Sequence, residues 1–300
     1  MLRLGMVDCD SGHAIEFPER LNHVDIAADE WVHGARVVAA VPMTSLIEQW
    51  RVDESVPRLR QWGIEILDRP EDLLGRVDAV LIESQDGSVH LDRALPFIDA
   101  GLPIFIDKPF TTSTADARRL VEAAQARGVT LFSASSIRYA MEVQDLLRRR
   151  DETGAILGAD VYSVAITHPR NPGLFHYAVH AVEPLFTMLG TGCQSVRCIW
   201  EEGSEVVVGR WSDGRLGTIR GLRQGKYEFG ITAFCEKAVV SGMIGPGSYF
   251  YRELLKIVVD SFTNRYWPLP PDQLIEPVAF QEAALLSSQR GGAEIRLDSL

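Results

Sequence analysis

Leu102-Pro103-Ile104-Phe105-Ile106-Asp107-Lys108-Pro109 is an apolar run that ends in an acid, a cation and a proline. The run reads as a short buried strand. A lysine at the carboxyl end of such a strand lies where open α/β sheets place their ligands. Desolvation there would lower its pKa toward values useful for acid–base work. Pro109 fixes the exit turn and with it the direction of Lys108. Taken alone, a lysine after a strand is usually a solvated loop residue, so its neighbours carry the decision.

Upstream and downstream, residues 1–135 alternate strand and helix. Expected strands are Leu2–Val7, Arg36–Val41, Ile64–Leu67, Ala79–Glu83, Pro103–Ile106 and Thr130–Ser133. Helices are expected at Thr44–Trp50, Leu91–Ala100 and Ser113–Arg127. This rhythm implies an α/β domain, a Rossmann-like doubly wound parallel sheet. After Tyr139 the pattern changes. Helices Glu142–Arg150, Ala178–Leu189, Tyr249–Phe262 and Glu276–Ser288 frame the strands Ala159–Ile166, Ser195–Trp200, Glu205–Trp211, Leu216–Leu222, Tyr227–Ala233, Ala238–Ser241 and Ala293–Leu297. Ser212-Asp213-Gly214 is a hairpin signal. Residues 136–300 are therefore expected to form a C-terminal α+β domain on a largely antiparallel sheet. The alternation in Glu205–Trp211 and Leu216–Leu222 suggests that the sheet's second face meets a copy of itself, in a homodimer or homotetramer.

The 300 residues suffice for two domains with separate cores. A hydrophobic fraction of 46%, a charged fraction of 24% and a mean hydropathy of zero describe an ordinary soluble chain. A net charge of −11 argues against nucleic acid or an anionic membrane as partner. Cys9, Cys193, Cys198 and Cys235 form no CxxC pair, which suits a reduced, cytoplasmic protein. The N-terminus enters a strand at once, without a signal-peptide core, and no apolar stretch approaches the roughly 20 residues of a membrane span.

With these motifs in place, the chain resembles the glucose–fructose oxidoreductase/inositol dehydrogenase (Gfo/Idh/MocA) family. Asp107-Lys108-Pro109 is similar to that family's Glu-Lys-Pro turn. Gly128-Val129-Thr130-Leu131 followed by Arg138-Tyr139 is similar to its crossover into the second domain. The segment from Gly173 to Glu183, ending at Gly190, looks like its catalytic helix, whose pattern is Asp-x-x-x-His-x-x-Asp. Here His176 stands at the first acid, His180 at the histidine and Glu183 at the last acid. The resemblance implies NAD- or NADP-dependent oxidation of a sugar- or polyol-like alcohol, or the reverse reduction. It implies catalytic roles for Lys108, His180 and His176, and substrate contacts from Arg138, Tyr177, Glu183 and His90. Cofactor contacts would come from Asp8, Asp10, Ser11, His13, Ser84, Asp107 and Pro109, with no metal among the site residues. The chemistry suits these side chains: as hydride leaves carbon, a base near neutrality takes the hydroxyl proton and a cation steadies the alkoxide. His180 can be the base and Lys108 the cation.

The sequence departs from the family where a dinucleotide would bind. The three glycine positions of G-x-G-x-x-G fall on Asp8, Asp10 and His13. A carboxylate ~4 Å from a phosphate charge costs about 4 kcal/mol at an effective dielectric near 20, and a helix N-terminus returns only ~0.3–2 kcal/mol. The alternative is that Asp10 or Ser11 caps the following helix. The strand Arg36–Val41 runs into Pro42-Met43-Thr44, with no acid for a ribose and no arginine for a 2′-phosphate. The strand Ala79–Glu83 leads into Ser84-Gln85-Asp86-Gly87-Ser88, with His90 at or near the family's histidine.

Asp8, Asp10, His13, Glu83, Asp86, His90 and Asp107 thus form an acidic, histidine-rich rim on the expected carboxyl edge, better suited to a cation than to a dinucleotide. His176, His180 and Glu183, spaced i, i+4, i+7, share one helix face and could bind zinc, act on substrate or form a structural cluster. Two alternatives to the oxidoreductase remain open on this fold: a cofactor-free paralogue that binds a small polar ligand, and a metal-dependent lyase or hydrolase.

Overall fold

Leu2–Val7 (β1) enters the interior at once, with residues 4–7 buried, in the computed structural model, which describes residues 1–245 and 249–300. The chain continues through α1 (His13–Asn22), β2 (Ala35–Val41), α2 (Gln49–Gln61), β3 (Glu65–Ile66), β4 (Ala79–Ile82), α3 (His90–Asp99), β5 (Ile104–Ile106), α4 (Thr114–Arg127) and β6 (Leu131–Phe132). The strands form one six-stranded parallel sheet in the order β3-β2-β1-β4-β5-β6. Ala-Val-Leu-Ile of β4 and Ile-Phe-Ile of β5 are buried at every position, as strands covered on both faces must be. The order reverses between β1 and β4, so the carboxyl ends of these two strands open a crevice, the usual ligand position of a doubly wound sheet. Asn22 ties the end of α1 to β2, its Nδ2 donating to Val37 O and its Oδ1 accepting from Val37 N, both at 2.9 Å.

The helix expected at Thr44–Trp50 lies later in the chain, as α2 over Gln49–Gln61. Residues 44–48 form a turn in which Ser45 Oγ accepts from the backbone N–H of Ile47 and of Glu48, at 3.1 and 3.0 Å. Such local side-chain bonding competes with a helix start. The true helix buries only Val52, Ser55 and Leu59 and holds Pro57, so its apolar stripe is thin in the sequence.

A second sheet is built further along the chain. After α5 (Met141–Arg148) and α6 (Arg150–Thr153) come β7 (Ile156–Val164), α7 (Val179–Leu189), β8 (Cys193–Glu201), β9 (Ser204–Trp211), β10 (Leu216–Leu222), β11 (Phe229–Cys235) and β12 (Val239–Ile244). α8 (Phe250–Asn264), α9 (Pro271–Gln289) and β13 (Ile295–Arg296) close the chain. The order is β12-β11-β7-β10-β9-β8-β13, with β10–β7 parallel and the remaining pairs antiparallel. Two compact units result. One gathers Met1–Thr111, Asp116–Ala134 and Tyr251–Pro270, and the other Thr112–Ala115, Ser135–Phe250 and Pro271–Leu300. Among the described residues, no helix is long and apolar enough to cross a membrane.

In the second unit α7 and α9 cover one face of the sheet. Trp211 is its keystone. The ring lies 5.5 Å from Phe186 of α7 and 6.4 Å from Phe280 of α9, and its Nε1 donates to Gly190 O at 2.9 Å. Directly paired Gly209 and Gly217 make room for it: a Cβ on Gly209 would lie 2.7 Å from Phe280 and 2.8 Å from Trp211. Gly209→Ala should therefore overpack two rigid rings and destabilise the protein by about 1–3 kcal/mol. Urea unfolding of the variant against wild type measures this, and a loss below about 0.5 kcal/mol would mean that the rings yield freely.

Candidate functional site

The turn after β1 shows what replaces the missing glycines. Asp8 takes the left-handed conformation (φ 65°), tolerated by aspartate better than by most residues. Its carboxylate accepts from the Ser84 hydroxyl and from Arg93 Nε at 3.3 Å. Asp10 reaches across two loops, with Oδ1 accepting from Gln85 N at 2.9 Å and Oδ2 from the Ser45 hydroxyl at 2.5 Å. Burial pushes both acids above the ordinary aspartate range, against the pull of their hydroxyl partners. Asp10 does not cap α1, because its carboxylate is spent on these loops. Ser11 Oγ instead accepts from His13 N at 3.1 Å.

Gly12, just ahead of α1, is exposed, and a Cβ there would meet nothing within 4 Å. Beside it lies a cavity of about 460 Å³ whose lining includes Ser11 and Gly12, the cations Arg51 and Arg58, and the acids Glu16, Asp53 and Glu54. Arg51 and Arg58 bring cationic groups to it, each also paired with an acid, Glu48 and Glu19 respectively.

Deeper in the edge, three side chains converge. His13 heads α1, Glu83 follows β4 and Asp107 follows β5. His13 is 3% exposed and the two acids are wholly buried. His13 Nδ1 lies 2.8 Å from Asp107 Oδ1 and 3.5 Å from Glu83 Oε2. The first approach is an ion-pair contact that does not count as a hydrogen bond. Burial alone would push His13 down, but Asp107 and then Glu83 carry it up to about 9. Burial pushes Glu83 up to about 7, with His13 opposing. Asp107 resists its own burial and stays below the ordinary carboxylate range because His13 and Lys108 favour its anion. The imidazole stacks on Phe17 at 4.5 Å and meets Tyr251 edge-on at 5.2 Å.

Lys108 is half-buried, and its backbone N–H donates to Asp107 Oδ1 at 2.6 Å. Pro109 is buried after a cis peptide bond. His90 is corrected from a substrate ligand to a brace. It is fully buried, with Nδ1 3.1 Å from Phe110 O and Nε2 3.0 Å from Ser84 O, so each ring nitrogen faces a loop carbonyl. Asp86 turns back on its own loop, accepting from Ser88 N at 3.0 Å and Ser88 Oγ at 2.6 Å. Sequence reasoning missed Ser45, Gln85 and Arg93, the partners of the two turn acids. None stands in a motif, and only the positions of their loops beyond β2 and β4 could have suggested them.

In the second unit, His180 and Glu183 lie on α7, whereas His176 precedes it in a turn after the short helix Gly173–Phe175. The expected single helix face therefore holds two of the three residues. His180 Nδ1 is 2.7 Å from Ser135 Oγ. Glu183 is buried and accepts from Arg138 Nε at 2.6 Å and from Ser135 N at 3.1 Å. Tyr177 is exposed, its ring 5.3 Å from that of His180. Glu183 thus holds Arg138 and Ser135 rather than facing a zinc ion. Among the described residues, the group whose donor atoms lie close enough to share an ion is His13, Glu83 and Asp107.

Comparison with known proteins agrees with this architecture. Residues 22–135 match the family described as oxidoreductase, NAD-binding Rossmann fold (Gfo/Idh/MocA). The match begins downstream of the turn holding Asp8, Asp10 and His13. Inositol 2-dehydrogenase of Cereibacter sphaeroides is 40% identical over 76 residues, 25% of this chain and 22% of that protein, so the chain matches about a fifth of that relative's length. The probable dehydrogenase from Thermotoga maritima shares the fold over 99% of both chains, with a TM-score of 0.81 and 18% identity. Myo-inositol dehydrogenase from Lactobacillus casei, solved with NAD(H) and myo-inositol, covers 99% of this chain and 96% of its own, with a TM-score of 0.78 and 15% identity. Residues 22–135 thus carry the match to the Gfo/Idh/MocA oxidoreductase family, and the chain shares its fold with the solved dehydrogenases.

Proposed function

We propose that this chain is an NAD- or NADP-dependent oxidoreductase of a sugar- or polyol-like alcohol, with an atypical dinucleotide site. One observation carries the reading: Lys108 stands half-buried at the carboxyl end of β5, inside the family-matched residues. The related inositol dehydrogenases point to a cyclic polyol as the first substrate class to try.

The residues present fit a dinucleotide at the start of α1 and do not fit one laid over Asp8 and Asp10. At Gly12 the backbone has open space beside it, and Arg51 and Arg58 stand by the same cavity, where Glu16, Asp53 and Glu54 offset their charge. When bound, the nicotinamide would accept the hydride from the substrate carbon, or supply it in reverse. The chain's own groups do the rest. His180, fixed at Nδ1 by Ser135, takes the hydroxyl proton, and the Lys108 ammonium steadies the alkoxide as it forms. Arg138, held by Glu183, and Tyr177 are assigned to the polyol hydroxyls.

On the second unit's sheet, exposed apolar residues stand on the face away from α7 and α9 among the described residues. Val239, Phe234 and Leu216 follow one another across it, joined by Met243, all exposed. We assign this face to a second copy of the chain, in a homodimer or homotetramer. The four free cysteines accord with a cytoplasmic setting.

Titration of NADH and of NADPH into the protein should show saturable binding of at least one. Gly12→Glu should weaken it at least tenfold, since a carboxylate near 4 Å from the pyrophosphate costs up to about 4 kcal/mol. Gly12 has right-handed helical dihedrals, so the variant should keep its unfolding midpoint. Absence of binding for both dinucleotides would favour the cofactor-free reading, and equal affinity in the variant would remove the α1 start from the site.

With a cyclic polyol and the bound dinucleotide, Lys108→Ala should lower turnover by roughly 10²–10⁴-fold at unchanged stability. Turnover within a few-fold of wild type would strike Lys108 from the mechanism. Sedimentation at micromolar concentration should give the mass of a dimer or tetramer, and a strictly monomeric mass would refute the assignment of the open face.

A further inference from the structure

We propose that His13, Glu83 and Asp107 form a buried site for one divalent cation of the zinc class. The donors come from three elements: the first residue of α1 and the residues following β4 and β5. One ring nitrogen and one oxygen from each carboxylate all lie within 4.8 Å of one another. Donors bound near 2.1 Å to a common tetrahedral ion stand about 3.4 Å apart. The observed separations of 2.8 and 3.5 Å from His13 Nδ1 bracket that value.

A second observation points to a ligand. Both oxygens of Glu83 are buried and accept no hydrogen bond among the described residues, and the same holds for Asp107 Oδ2 and His13 Nδ1. Buried carboxylates left in this state are costly, and native interiors pair them or give them to metals. A protonated His13 faces both carboxylates through one nitrogen, so its single charge is shared between two buried acids. Protonating Glu83 instead gives a buried hydroxyl whose approach to His13 Nδ1 is a long 3.5 Å. A dication satisfies the neutral imidazole and both carboxylates at once.

The donor set also selects the ion. Imidazole with carboxylates suits zinc and its first-row neighbours. Calcium needs six to eight oxygens and magnesium favours an octahedron of oxygens, more than the two carboxylates of this cluster supply. The bound ion would pin the start of α1 to the ends of β4 and β5. Through Asp107 Oδ1 it would also fix the backbone of Lys108. The inference rests on geometry within the first unit and holds whatever the chain oxidises.

The test uses the full chain, stripped with a chelator, dialysed and titrated with zinc chloride. Elemental analysis should find one zinc per chain. Free zinc at a hundredfold over its Kd should raise the thermal midpoint by roughly 5 °C. Glu83→Gln, nearly isosteric, should lose both the retained ion and the shift. If that variant does not fold, zinc-edge absorption on wild type decides, with one nitrogen and at least two oxygens near 2.0–2.2 Å expected. Substoichiometric zinc without a shift, an undiminished shift in Glu83→Gln, or sulfur in the first coordination sphere would each overturn the proposal.

Discussion

Reversal of strand order between β1 and β4 is the constraint on which the first unit depends. It sends the connections after these strands in opposite directions and opens the carboxyl edge between them. Backbone groups at strand ends have no ladder partner and must find one elsewhere. In this chain the edge is closed by side chains. Asp10 links the turn after β1 to the loops after β2 and β4, and Asp8 reaches Ser84 and Arg93. His90 joins the carbonyls of Ser84 and Phe110, and Asp107 holds the amide of Lys108. The lysine therefore stands on a lattice of buried polar contacts rather than on a free loop.

That lattice changes the meaning of the missing glycines. The charge argument against a dinucleotide assumes that Asp8 and Asp10 face the phosphates. Their carboxylates are instead turned inward, each on partners that cannot be given up cheaply, since a buried acceptor stripped of its donors costs about 1–3 kcal/mol or more when charged. The left-handed conformation of Asp8, at roughly 1–2 kcal/mol, is offset by the same contacts. What remains exposed is Gly12, where the helix begins and where a side-chain carbon would meet nothing within 4 Å. The acids and the dinucleotide therefore need not compete for one position.

The sequence made the two sheets and the lysine turn legible because apolar runs such as Ile104–Ile106 and alternations such as Glu205–Trp211 are local signals. The rim of Asp8, Asp10, His13, Glu83 and Asp107 was also visible as a set, since each residue closes or follows a strand. Its division was not. That Asp10 would reach Ser45 and Gln85 while Glu83 joined His13 depends on loop paths far apart in sequence. Helix α2 was misplaced because three buried residues and an internal proline give weak periodicity. The face expected of His176, His180 and Glu183 failed at its first member, because spacing cannot show where a helix begins.

In the second unit the consequence of that boundary is chemical. Glu183, one turn into α7, accepts from the backbone of Ser135 and from Arg138, and Ser135 Oγ meets the ring of His180. The acid does not touch the imidazole. It fixes the serine that does, and it neutralises an arginine that is 6% exposed and would otherwise be buried without a counter-charge. Glutamate suits this task better than aspartate because one more methylene lets its two oxygens reach two donors on the segment Ser135–Tyr139. The Nδ1 side of His180 is thus held from a short stretch just after β6, while the rings of Tyr177 and Phe229 pack against the imidazole.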